Sequence, residues 1–337
     1  MSDAILDLPA ALRYASDEEP GYTRVKRKEQ HVICEQDGSL CTDESVLERV
    51  EAMVIPPQWS EIWVCRDKNG HLQCTGRDGR RRKQYIYHPE YVAYRQNSKF
   101  KKLVAFVEAL PNLREHVEQQ LRRRNWDRDK MLALMLRMLD VQHLRIGSER
   151  YEAENGTYGL TTLRRRHIED EDRLRLCFSA KSGKFRRVTV KNRRLRKLVR
   201  EVSDLPGYRL FTYEGDDRKR HSLSSADLNE CIRELMGEQF TAKDFRTWAG
   251  TSLCVRHYPE VRREWLERKK GKLTTSLVRR VAKDLGNTVS VCREYYIHPN
   301  VLHAAREEEL PNQQWSGKKD IKLGLADYEQ ATLELIH

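Results

Sequence analysis

Hydrophobic and polar positions change texture once along this chain, near Tyr91. Between Gly21 and Tyr91, β-branched and aromatic runs alternate with polar residues in YTRVKR, HVICEQDGSL, EIWVCRDKNGHLQCTGRD and KQYIYHPEY. That period of two predicts half-buried strands, and DG, NG and GRDG punctuate them as turns. Asn69-Gly70 predicts a hairpin. VLERVEAMV predicts a short helix that Pro56-Pro57 stops. Residues 1–20 read as a short amphipathic helix followed by an acidic break ending in Pro20.

Beyond Tyr91 the apolar residues recur three and four apart. FKKLVAFVEALPNLREHVEQQLRRR and DRDKMLALMLRMLDVQHLRIG each predict a helix. The second is apolar on most sides (Met131, Leu132, Leu134, Leu136, Leu139, Val141), which predicts a central buried helix. Gly147, just past Arg145, is its expected C-cap. GLTTLRRRHIEDEDRLRLCFSAKSGKFRRVTV alternates again and predicts a small sheet, with Lys181-Ser182-Gly183 at the tip or shoulder of a hairpin. Helices resume in SADLNECIRELMG, KDFRTWAGTSL and TTSLVRRVAKDLGNT, the last ended by Gly286. AAREEELP and the tail ATLELIH read as a final surface helix. The expected fold is α+β. A small N-terminal antiparallel β-rich domain spans 1–92, and a larger, mainly α-helical domain with a small β-sheet spans 93–337.

Charge narrows the partner. Among 337 residues, 63 Lys and Arg face 51 Asp and Glu, a net charge of +12. Such a balance favours a polyanion, above all nucleic acid, because each neutralised phosphate releases condensed counterions. The eight cysteines form no C-x-x-C pair, which argues against structural zinc and for reduced thiols. No run approaches the roughly 20 apolar residues of a membrane span. The N-terminus also lacks a basic stretch followed by an apolar one. A cytoplasmic protein without membrane contact is expected.

Five residues of the helical part suit one reaction, attack of a phenolate on a phosphodiester. They are Arg145 in LRIG, Lys181 in AKSGK, Arg246 in KDFRTW, and Asn287 and Tyr296 in GNTVSVCREYY. Guanidinium forks match the non-bridging oxygens on which charge develops. An amide donates to the same oxygens, and a lysine supplies a proton to a poor alkoxide leaving group. The covalent phosphotyrosine would conserve the bond energy, so the chemistry calls for no nucleotide, metal or other cofactor. The chain also has no GxxxxGK[ST] loop. Taken singly, Arg145 also fits a helix-end dipole partner and Lys181 a solvated turn lysine. Arg246 and Asn287 singly fit structural roles, and the Tyr295-Tyr296 pair fits core filling.

Together these segments resemble the poxvirus-like bacterial type IB DNA topoisomerases, within the tyrosine topoisomerase/recombinase superfamily. IPPQWSEIWVCRDKNGHLQCTGRDGRRRKQYIYHP is similar to that family's small β-rich domain. LRIGSERYEAENGTYGLTTLRRRHI, FSAKSGK, KDFRTW and LGNTVSVCREYYIHP follow in the order of its catalytic domain. The resemblance makes Arg145 and Arg246 the transition-state arginines and Lys181 the general acid. It makes Asn287 the donor to a non-bridging oxygen, and Tyr296, not Tyr295, the nucleophile. A straight helix from Asn287 to Tyr296 would separate them by about 13 Å along its axis, so a break or turn is required between them.

The resemblance further implies DNA contacts at Gln73, Tyr151, Ser224 and Lys243. Where viral relatives follow the glutamine with tyrosines, this chain reads Cys74-Thr75-Gly76. The basic run Arg77, Arg80, Arg81, Arg82 and Lys83 is a candidate for DNA-backbone contact. The implied activity is ATP- and metal-independent relaxation of supercoiled duplex DNA, by a monomer that clamps it. A tyrosine recombinase is the nearest alternative, although His-x-x-Arg is replaced here by Lys243-Asp-Phe-Arg246. A catalytically silent DNA-binding architectural protein is the other.

Overall fold

Strand alternation in the N-terminal part is realised as a single antiparallel sheet. The computed structural model describes residues 8–27, 30–268, 270–315 and 324–337. It forms two compact units, Met1–Lys101 and Lys102–His337. In the first, β1 (Gly21–Arg27), β2 (Gln30–Cys34), β3 (Ser60–Cys65), β4 (Leu72–Arg77) and β5 (Lys83–Tyr87) assemble in the order β2-β1-β3-β4-β5. Ile62 and Val64 of β3 point to one face and pack with Tyr22, Ile33, Cys41, Val46 and Cys74. The covering helix α1 (Glu44–Ala52) starts at Asp43, whose carboxylate accepts from the Ser45 and Val46 amides, a standard N-cap. Helix α2 (Pro89–Lys101) closes the unit. The helix expected over 1–20 falls partly outside the described residues. Over 8–20 the chain instead makes turns and a bridge between Arg13 and Gly70.

The second unit is mainly helical. Helix α3 (Leu103–Leu121) packs on α4 (Arg128–Gln142), in which every residue from Lys130 to Leu139 is buried. Its cap differs from expectation: His143 takes the left-handed conformation (φ 53°) that ends the helix. Gly147 lies beyond, in the irregular segment that follows, with φ +95°. Helix α5 (Glu149–Asn155) leads to the small sheet β6 (Ile168–Glu169), β7 (Arg175–Ser179) and β8 (Phe185–Thr189). Then follow α6 (Arg193–Asp204), the hairpin β9 (Thr212–Glu214) and β10 (Arg220–Ser222), and α7 (Ser225–Met236). The long helix α8 (Ala242–Arg268) packs against α3, α4 and α9 (Leu273–Leu285), and α10 (Val289–Tyr295) and α11 (Pro299–Arg306) follow α9. All eight cysteines are free thiols. Among the described residues no helix is long and apolar enough to cross a membrane.

The tail departs most from its expectation. Helix α12 (Asp327–Ile336) is no surface appendage, because Glu329 is only 4% exposed and meets Arg114 of α3. Arg114 donates twice to Asp140 (2.9 Å each) and twice to Glu329 (2.8 Å each), and Trp248 Nε1 reaches Glu329 at 3.1 Å. Burial alone would push the Asp140 carboxyl up, but the Arg114 charge outweighs it and holds Asp140 below the usual carboxylate range. Arg114→Ala leaves two buried carboxylates without their cation. It should therefore destabilise the fold by about 3–5 kcal/mol, read by urea unfolding at neutral pH. A depressed carboxylate pKa stabilises above its unfolded value near 3.9 and is lost as pH falls through the folded one. The gap between wild type and variant should therefore narrow below about pH 4.

Candidate active site

Arg246 sits in the second turn of α8 and is 4% exposed. Its guanidinium needs acceptors, and two helix ends supply them. Nη1 donates to the carbonyl of His143, the cap of α4. Nη2 donates to Leu285 O at the end of α9 (2.9 Å) and to Asn287 Oδ1 (3.2 Å). The last carbonyls of a helix lack intrahelical partners and carry partial negative charge, so a buried cation fits there. Burial lowers the Arg246 pKa to about 10, and the Arg145 charge pushes the same way. The group stays protonated at neutral pH.

Arg145 follows α4 in a segment held from behind: Leu160 N donates to Arg145 O (2.8 Å) and Thr161 N to Ile146 O (2.7 Å). Its Nη2 donates to Asn287 Oδ1 and lies 3.5 Å from Gly286 O. Two guanidinium donors on Oδ1 fix the amide orientation of Asn287. They leave Nδ2 a buried donor without an acceptor among the described residues, as is Arg246 Nε. His143 Nδ1 is likewise unpartnered, and burial lowers its ring pKa to about 4, which keeps it neutral. Two charged groups thus converge on a neutral oxygen. The nearest acidic side chains are turned away, Asp284 toward His257 (2.7 Å) and Asp140 toward Arg114.

The break required between Asn287 and Tyr296 is present. Gly286 (φ 63°) caps α9, Asn287 lies in the connection, and Thr288 caps the new helix α10. Tyr296 is the C-cap of α10, with its ring centroid 5.3 Å from the Arg246 guanidinium carbon. Its backbone is clasped from α8: Thr251 Oγ1 donates to Tyr296 O (3.3 Å) and accepts from His298 N (3.1 Å). Gly250 makes this approach possible, since a Cβ there would lie 2.2 Å from Tyr296 O. In the trailing IHP, Ile297 is buried, His298 caps α11 and Pro299 opens it. Tyr295 points elsewhere, 39% exposed, and burial together with Glu294 raises its phenol pKa. That environment opposes a phenolate.

The four residues Arg145, Arg246, Asn287 and Tyr296 therefore come together, whereas Lys181 does not touch them. It is exposed at the tip between β7 and β8, one residue from Ala180, which lines a small cavity with Arg145 and Arg246. A third arginine of that cavity, Arg186 on β8, escaped the sequence reading. The alternation of β8 carried the signal, because Arg186 shares the inward face with buried Val188 and Val190 while Arg187 is exposed.

The expected DNA-contact residues divide. Gln73 is 4% exposed and its amide is turned inward. Oε1 accepts from Arg49 (2.7 Å) and Nε2 donates to Gly70 O (2.7 Å), so the side chain fills the β3–β4 turn. In the basic run, Arg77 and Arg81 pair with Glu61, Arg82 with Asp78, and Lys83 with Asp17. Arg80 is exposed without an acidic partner among the described residues. Such exposed pairs are each worth about 0–1 kcal/mol, so they do not prevent phosphate contact. Tyr151 on α5 is 58% exposed and Lys243 is exposed in the first turn of α8. Ser224 is committed to capping α7, its Oγ donating to Asp227 at 2.6 Å.

Comparison with known proteins agrees with this geometry. Residues 88–321 match the family described as eukaryotic DNA topoisomerase I, catalytic core, and residues 32–78 match the bacterial DNA topoisomerase IB N-terminal domain. The chain is 30% identical to DNA topoisomerase 1B of Acanthamoeba polyphaga mimivirus over 259 residues, 74% of this chain and 77% of that protein. It is 22% identical to DNA topoisomerase 1B of vaccinia virus (strain Copenhagen) over 292 residues, 82% of this chain and 90% of that protein. Family match and relatives thus span both the strand-rich and the helical parts, and the chain belongs to the type IB DNA topoisomerases, with the N-terminal domain of the bacterial branch.

Proposed function

We propose that this enzyme relaxes supercoiled duplex DNA by cleaving one strand through a 3′-phosphotyrosine at Tyr296, allowing rotation, and religating. The observation that carries this reading is the convergence of Arg145 and Arg246 on the neutral Oδ1 of Asn287, beside the Tyr296 ring. A positive, half-enclosed site whose two arginines pair with no carboxylate among the described residues suits a phosphodiester. It suits still better a pentacoordinate transition state with more charge on its non-bridging oxygens. Asn287 Nδ2 and Arg246 Nε are donors that such oxygens would satisfy.

In this scheme the Tyr296 phenol gives its proton to solvent water as its oxygen attacks phosphorus. The bond from phosphorus to the 5′-oxygen breaks, and Lys181 protonates that leaving oxygen. The phosphotyrosine ester retains the bond energy, so religation reverses the same steps without ATP, metal or other cofactor. The enzyme acts as a monomer that clamps the duplex. Domain 1–92 contributes backbone contacts, with exposed Arg80 as its candidate phosphate ligand, and exposed Tyr151 and Lys243 are the candidate phosphate ligands of the helical domain.

Plasmid relaxation in EDTA without ATP tests the scheme. Wild type should relax supercoils of either sign, Tyr296→Phe should be inactive, and Tyr295→Phe should retain activity. Activity retained by Tyr296→Phe and lost by Tyr295→Phe would sink the assignment. Arg246→Ala should slow single-turnover cleavage by about 10²–10³-fold, the usual cost of losing a donor to a developing oxyanion. Gly250→Ala places a methyl against the Tyr296 backbone. It should slow cleavage by roughly 10²-fold through misplacement of the nucleophile while DNA affinity, measured by gel shift, changes little. An unaffected cleavage rate would show that Gly250 does not set the position of Tyr296.

A further inference from the structure

The hairpin that carries Lys181 is internally closed. Phe178 pairs with Arg186 and Ser179 with Phe185, Ala180 N donates to Lys184 O (2.8 Å), and Gly183 N donates to Ala180 O (2.9 Å). The position of Lys181 therefore follows from how the hairpin docks as a body. On the β7 side, Tyr158 N donates to Ser179 O (2.7 Å). On the β8 side, the link is Arg186, whose Nη2 donates to Asp284 O in the last turn of α9 (3.0 Å).

The seat for Arg186 is shaped to it. Its side chain crosses over Gly286, where an added Cβ would lie 1.6 Å from Nη1, and φ there is +63°. Only glycine satisfies both demands without strain. The Asp284 carboxylate is engaged with His257, so the backbone carbonyl at the negative end of α9 holds the guanidinium. Arg186 thereby ties the Lys181 hairpin to the turn that also carries Asn287.

We infer that Arg186 is a positioning residue for Lys181, docking the β7–β8 hairpin on the end of α9 so that the ammonium meets the leaving 5′-oxygen. This rests on the proposal that Lys181 is the general acid. Misplacing a proton donor matters only when the leaving group needs a proton, and that gives the role a distinctive readout. A merely structural role would not depend on the leaving group.

The test is single-turnover cleavage of matched oligonucleotide duplexes, one with the ordinary 5′-oxygen at the scissile bond and one with sulfur there. A thiolate leaves without protonation because its conjugate acid has a pKa near 8.5. On the oxygen substrate, Arg186→Ala should be slowed about 10- to 100-fold and Lys181→Ala about 10²–10⁴-fold. On the sulfur substrate both should approach the wild-type rate. Arg186→Gln, which keeps a donor, should show a smaller defect with the same rescue, and it serves if the alanine variant fails to fold. Rescue of Lys181→Ala without rescue of the Arg186 variants would overturn the positioning role and leave the general acid standing. Unimpaired Arg186 variants would also overturn it. Failure of Lys181→Ala to recover would overturn the general-acid assignment itself, and the inference with it.

Discussion

Three successive carbonyls at the end of helix α9 each accept from a different arginine: Asp284 O from Arg186, Leu285 O from Arg246 and Gly286 O from Arg145. This one turn is the constraint on which the site depends. A helix C-terminus has unpaired carbonyls and a partial negative charge, and here guanidinium groups from a strand, a long helix and a helix-following segment satisfy them. Arg246 is the deepest and also takes the His143 carbonyl, so it joins the ends of α4 and α9 to the body of α8. Arg246 holds the turn together, and the turn in turn orients Arg246.

The arrangement also keeps charge where the chemistry needs it. Burying several arginines near one another is unfavourable unless something offsets their repulsion, and carboxylates would be the ordinary solution. Here Asp140 is occupied by Arg114 and Asp284 by His257, while the arginines rest on backbone carbonyls and one amide oxygen. Neutral acceptors stabilise the cations without cancelling them. In the proposed function, the counter-charge arrives with the DNA phosphate and increases in the transition state.

Much of this was legible in the sequence because it is encoded locally. The Asn69-Gly70 turn, the all-round apolar stretch of α4 and the Gly286 stop each correspond to an element, and the physical need for a break before Tyr296 is met at Gly286 to Thr288. What was not legible depends on partners distant in the chain. Glu329 meets Arg114 across 215 positions, and nothing in DYEQATLELIH signals that the first glutamate is buried. Gln73 is a DNA-contact candidate by its resemblance, and the inward turn of its amide depends on Arg49, 24 positions earlier. Ser224 is a capping residue whose hydroxyl is consumed locally. Arg186 was hidden in an Arg-Arg pair, and only the strand register separates the inward arginine from the outward one.

The central claim, that the arginine-capped turn serves a phenolate at Tyr296 and not at Tyr295, is tested most directly by trapping the covalent intermediate. Enzyme mixed with duplex DNA is quenched in denaturant and digested with trypsin and nuclease, and the nucleotide-bearing peptide is sequenced by mass spectrometry. The account predicts a nucleotide joined through its 3′-phosphate to Tyr296. A nucleotide on Tyr295, a linkage through a 5′-phosphate, or no protein–DNA adduct from an enzyme that relaxes DNA would contradict it.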